Sequence, residues 1–161
     1  MGLDMYLTEQ LYYGGQWRNN DWHEEGHTLV VKGGFAEKHD LKKEQISTIT
    51  RNLAEWRKAN SIHGWFIRNC ANGTDDCSEV EVTQEDIQAL YDDCLEVKKA
   101  FEKKDFETCL TLLPPVEGFF FGDTDVENNE WYYQDIKDTI DILKPLIENP
   151  PKGFMYYRAS W

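Results

Sequence analysis

His23-Glu24-Glu25-Gly26-His27 has the form H-E-x-x-H, in which a helix sets both imidazoles on one face to hold zinc and leaves the Glu as general base. The neighbours oppose that geometry. Gly26 weakens a helix by roughly 1 kcal/mol, Gly14–Trp22 has no helical apolar period, and Thr28 begins a strand-like run. An exposed polar loop is the expected form, and no metal or cofactor is implied. A second constellation lies in Ile46–Cys70, where Arg51, Arg57, Lys58 and Arg68 face only Glu55 and are interleaved with Trp56, Asn60, His63, Trp65 and Phe66. Guanidinium and amide groups recognise phosphate and base edges, and aromatic faces stack heterocycles, so this segment is expected to bind a small nucleotide-like ligand. The competing reading places the aromatics in the core and the cations in solvated ion pairs. His63 could serve as general base of a small hydrolase or transferase if Asp4, Asp76 or Asp125 oriented it. No nucleophile accompanies it, which makes a binding protein the stronger expectation. Asp123-Thr124-Asp125-Val126-Glu127 echoes a calcium loop but lacks the central Gly, and Gln134 stands where the closing Glu belongs.

These groups must be positioned by elements that the apolar periods predict. Gly2–Leu7 with Tyr12–Tyr13 has the look of an N-terminal strand, and Thr28–Lys32 of a second. Ile46, Ile49, Leu53 and Trp56 recur at spacings of three and four, which predicts a helix from Lys42 to about Asn69, with a break at Ala59–Asn60. Glu79–Val82 alternates as a short strand. Thr83 and Asp86 form a capping box for a helix whose face is Ile87, Leu90, Tyr91, Cys94, Val97 and Phe101. Phe106–Leu113 is a shorter helix stopped by Pro114–Pro115. Gly118–Gly122 is an apolar, turn-flanked run. Glu130–Glu148 is a long helix striped by Tyr133, Ile136, Ile140, Leu143 and Ile147, with Pro145 expected to kink or shorten its last turn. Phe154–Trp161 is expected to be a strand pairing near Leu3–Leu7 and burying Met155, Tyr157 and Trp161. The fold class is α+β: one domain over 1–161, with a small sheet that includes both chain termini, packed by three or four helices.

The chain of 161 residues carries 30 Asp+Glu against 17 Lys+Arg, a formal net charge of −13. Such a molecule repels a phosphate backbone and anionic lipid, which excludes non-specific nucleic-acid binding and membrane association as expectations. With 40% hydrophobic and 14% aromatic residues it can build a core. Cys70, Cys77, Cys94 and Cys109 form no C-x-x-C pair, so reduced thiols are expected, and the acidic neighbours of Cys77 oppose a thiolate nucleophile. Between Asn72 and Glu96 stand nine acidic residues and no Lys or Arg. That run motivates a second expectation: an acidic inhibitor covering a basic surface of a host protein, or mimicking nucleic acid.

Several stretches carry a resemblance: MGLDMYLT at 1–8, WRKANSIHGWFIRN at 56–69, DDC at 75–77, LLP at 112–114, GFFFGDTD at 118–125, EWYYQDIKDTIDIL at 130–143 and YYRASW at 156–161. In this order they resemble a family of small uncharacterised proteins of tailed bacteriophages and prophages. The label phosphoglycerate kinase sometimes attached to the family finds no nucleotide-binding glycine loop here. The resemblance implies a phage accessory protein acting in the host cytoplasm, with host-defence antagonism as its occupation. Arg57, Asn60, His63, Asp76, Cys77, Asp125 and Trp161 match the family pattern. The candidate ligand-binding set is therefore Arg57, Asn60, His63, Trp65, Asp76 and Asp125, and the expected partner is a small nucleotide-like ligand or a host defence protein.

Overall fold

Alternation sets the sheet. In β1 (Asp4–Tyr12) Met5, Leu7 and Glu9, with Leu3 before them, turn inward and are fully buried, while Asp4, Tyr6, Thr8 and Gln10 point outward. The computed structural model describes residues 2–12, 38–40, 46–117 and 124–161. Among them β1 pairs antiparallel with β2 (Thr48–Arg57) on one side and with β4 (Phe154–Ser160) on the other, and β3 (Val80–Val82) adds to β4, giving the order β2-β1-β4-β3. The C-terminal strand therefore lies against the N-terminal one, with Met5 opposite Ala159 and Leu7 opposite Tyr157. This is an α+β fold whose sheet includes both terminal strands. The expected strand Thr28–Lys32, the H-E-x-x-H run and Gly118–Gly122 lie outside the described residues.

Residues 48–57 are a strand and not the expected helix. Their register explains the misleading period. The ladder with β1 shifts between Leu7 and Thr8, where Ala54 and Asn52 are the partners and Leu53 is the extra residue of a bulge. The bulge advances the strand's phase by one, so Ile49, Leu53 and Trp56 fall at intervals of four and three, as they would on a helix. The described helix of this segment is α1 (Asn60–Asn69), which follows Lys58 in the left-handed region (φ 62°); the Lys58 N–H donates to the Leu3 carbonyl at 2.7 Å beyond the end of the ladder, and its carbonyl accepts Asn60 N–H at 2.8 Å.

α2 (Gln84–Glu102) opens on the expected capping box: Asp86 N–H donates to Thr83 Oγ1 at 3.1 Å, and Thr83 N–H to the Asp86 carboxylate at 2.8 Å. α3 (Phe106–Leu112) is capped by Asp105 and α4 (Glu130–Glu148) by Asn129. α4 runs through Pro145 without losing its last turn, and its buried stripe is Tyr132, Ile136, Thr139 and Leu143, rotated from the expected one. Tyr132 is drawn inward because its hydroxyl donates to the carbonyls of Leu113 and Cys109, whereas Tyr133 stacks on Phe101 at 4.5 Å. One core joins these layers. Trp56 donates its indole N–H to Thr139 at 3.0 Å, Phe66 stacks on Tyr157 at 4.0 Å, and Ile87, Leu90 and Cys94 close it from α2. Trp161 is 42% exposed and is not the buried anchor expected of it; the inward positions of β4 are Met155, Tyr157 and Ala159. No described helix is long and apolar enough to cross a membrane.

Candidate functional site

His63 lies on the first turn of α1, a helix pressed so close to the 113–117 segment that a Cβ at Gly64 would meet Val116 Cγ1 at 2.6 Å. The imidazole is 1% exposed and is engaged at both nitrogens, Nδ1 with Tyr157 Oη at 2.8 Å and Nε2 with Asp75 Oδ2 at 3.0 Å. An ionised carboxylate only accepts, so Nε2 bears the hydrogen facing Asp75, and in the neutral ring Nδ1 accepts from the Tyr157 hydroxyl. The other Asp75 oxygen accepts the indole N–H of Trp161 at 3.3 Å. The chain Tyr157–His63–Asp75–Trp161 thus ties α1, the loop after it and the C-terminal strand. Burial, with Asp75 and Cys70 nearby, pushes the Tyr157 phenol up, so it stays protonated and is no nucleophile.

The carboxylate that orients His63 is Asp75, not Asp4, Asp76 or Asp125. Asp76 is exposed and accepts from Ser78 N–H and Oγ–H, which hold its carboxyl below the usual range. Asp125, also exposed, accepts from Asn128 at backbone and side chain and organises the turn before α4. Asp4 pairs with Arg57 at 3.5 Å. Asn60 is buried and donates to the Val116 carbonyl at 3.0 Å, and Trp65 is buried with its N–H on Asp93 at 2.8 Å. A shallow pocket lies between Ile67, Thr74–Ser78, Val80 and Tyr157, with space suited to one water molecule and not to a nucleotide. Of the six candidate residues only Asp76 lines it, and His63 stands behind it through Asp75. Cys77, in the left-handed region (φ 63°), also lines it.

Two of the four cations of Ile46–Cys70, Arg51 and Arg57, form ion pairs within the fold. Arg51 pairs with fully buried Glu9, whose carboxyl also accepts Lys152 N–H at 2.8 Å and Gly153 N–H at 2.7 Å. Burial pushes that carboxyl up, but these hydrogen bonds outweigh it and hold it below the usual range. Trp56, Trp65 and Phe66 are core residues. Burial lowers the Arg68 guanidinium, with Asp93 opposing that effect. Burial pushes the Cys70 thiol up to about 12 and the Cys94 thiol higher, which leaves both inert. Among the described residues no three His, Cys, Asp or Glu side chains are grouped to hold a metal ion.

The acidic run 72–96 presents a different kind of site. α2 and α4 pack antiparallel, as Gln84 donating to the Leu146 carbonyl at one end and Tyr133 donating to Glu102 at the other require. The first half of α2, with Glu85, Asp86 and Asp92, therefore runs beside the second half of α4, with Asp141 and Glu148; Glu96 pairs with Lys99 and Glu148 with Lys144. Glu79, Glu81, Glu85 and Asp92 are exposed and have no ion-pair partner among the described residues. Burial, with Asp138 beside it, pushes the Asp135 carboxyl up to about 7. No protein-family model, curated protein or solved structure matches the chain.

Proposed function

We propose that this is a protein-binding module whose α2–α4 acidic face docks on the basic groove of a partner protein. Following the resemblance to phage proteins, that partner is a host defence protein, and occupation of its groove blocks its nucleic acid. The observation that carries the reading is the antiparallel placement of the acidic parts of α2 and α4, with Glu85 and Asp92 exposed and without an ion-pair partner among the described residues. A fixed array of like charge speeds encounter with an opposite surface and discriminates against acidic ones. The catalytic reading has less support, because both nitrogens of His63 are engaged inside the protein and the adjoining pocket is water-sized. The test is capture from host lysate on immobilised protein at about 0.1 M and about 1 M salt, between which the screening length falls from about 10 Å to about 3 Å. A partner retained only at the lower salt, with a basic surface, supports the reading. Retention that ignores salt removes it.

A further inference from the structure

The sheet has a second face, and its charges nearly balance. The inner side is core, whereas the outer side carries Tyr6 on β1 and Phe154 and Tyr156 on β4, with Phe154 62% exposed. The register places Tyr6 between Glu55 and Arg158, and Tyr156 between Thr8 and Glu81; Arg57 stands opposite Asp4, with which it pairs. Glu55, Glu81 and Arg158 are exposed, and none has an ion-pair partner among the described residues. Arg57 and Arg158 against Asp4, Glu55 and Glu81 leave the face one negative charge from neutral, in a chain of net charge −13. Aromatic side chains on a nearly neutral face of an acidic molecule are where a second copy meets least repulsion.

We propose that two copies of the chain associate weakly through this face. Glu81 lies opposite Tyr156, two residues along β4 from Arg158, so Arg158 and Glu81 are diagonal neighbours about 7–8 Å apart. A two-fold axis lying between two facing sheets and bisecting that diagonal sets Arg158 against the second copy's Glu81, and Glu81 against its Arg158. The same operation places Tyr156 by its own counterpart and Tyr6 over the second copy's Phe154, where aromatic rings gain by stacking. An isologous contact needs such self-complementarity, and here it uses one cation and one carboxylate that the fold leaves unpaired. Four strands offer roughly 450 Å² per copy at ordinary rise and spacing, against about 800 Å² for a standard interface, which makes the pair a weak one. The face is separate from the acidic α2–α4 surface, and its pairing does not depend on that surface's role.

The experiment is sedimentation equilibrium of the full chain from about 10 μM to about 1 mM, at about 0.01 M and about 0.1 M salt. Self-association should tighten at the higher salt, because repulsion between two chains of charge −13 is screened as the screening length falls from about 30 Å to about 10 Å. Arg158→Glu should weaken it about ten-fold or more, since the new carboxylate meets Glu81 of the second copy. Glu81→Arg should weaken it as much, although that change lowers the net negative charge and with it the overall repulsion. The double variant exchanges the pair at unchanged net charge and should regain the parent's association. All three should melt as the parent does, because both side chains are exposed. A monomer at every concentration and salt, tighter association of Glu81→Arg, or a double variant no better than the single ones would each overturn the proposal. So would concentration-dependent NMR shifts that map to α2 or α4 instead of Tyr6, Phe154 and Tyr156.

Discussion

Replacing Tyr157 by Phe removes one oxygen and little else. The ring remains stacked on Phe66 at 4.0 Å and 11°, so packing and volume are preserved, but His63 Nδ1 loses the hydroxyl that lies 2.8 Å away in a site 1% exposed. Loss of a buried hydrogen-bond partner costs about 1–3 kcal/mol, mostly as the desolvation of the group left behind. Taking about 2 kcal/mol, a chain of this size should melt roughly 4–8 °C lower. Urea unfolding should show the same loss at an unchanged slope, since no surface is newly exposed. Asp75→Asn attacks the same relay from the other side, because the carboxylate holds the Nε2 hydrogen in place and thereby leaves Nδ1 to accept. The two changes share one imidazole, so the double variant should depart from additivity by about 0.5 kcal/mol or more. A Tyr157→Phe loss below about 0.5 kcal/mol, or strict additivity with Asp75→Asn, would refute the relay.

Glu9→Gln should destabilise the fold by about 2–3 kcal/mol, because an amide that accepts from Lys152 and Gly153 must turn its NH2 toward Arg51; chemical unfolding measures it. Since the native Glu9 carboxyl is held below its ordinary value, its contribution is present above the ordinary carboxylate range and lost as pH falls through the lowered native value, and Glu9→Gln should flatten that acid limb. Gly153→Ala would drive a Cβ into the backbone carbonyl of Gln10 and against Glu9 Cγ, and should lower stability by about 1–3 kcal/mol in thermal melts. Asp135 works with the opposite sign: its native value of about 7 lies above the unfolded one, so its contribution is present at acid pH and lost as pH rises toward 7. Full linkage would be about 4 kcal/mol and partial solvent access reduces it to about 1–2 kcal/mol, so Asp135→Asn should stabilise the protein by that amount at pH about 8 and leave it little changed near pH about 4.

The parts of the fold legible in the sequence are those in which one period governs one element. The capping box at Thr83 and Asp86, the span Glu130–Glu148 of the long helix and the burial of Met155 and Tyr157 depend on local chemistry alone. β2 was misread because a single bulge at Leu53 converts a period of two into apparent spacings of four and three, and bulges follow from pairing with a partner strand. Pairing across the chain also hid the candidate site. His63 and Asp75 are twelve positions apart and His63 and Tyr157 ninety-four, so nothing local distinguishes Asp75 from Asp76, or Tyr157 from the other tyrosines. The aromatics of Ile46–Cys70 illustrate the converse: Trp56, Trp65 and Phe66 have the right types for a ligand pocket, yet burial decides their role.

The central claim is that the position of the negative charge, and not its amount, serves partner binding. Two variants of equal net charge test it: Glu85→Gln with Asp92→Asn and Asp141→Asn on α2 and α4, and Glu107→Gln with Glu117→Gln and Glu127→Gln elsewhere, all six exposed. Affinity for a partner captured at low salt should fall by about ten-fold or more in the first variant and change by less than about three-fold in the second, with both melting as the parent does. Equal losses in the two variants, or none in the first, would contradict the account.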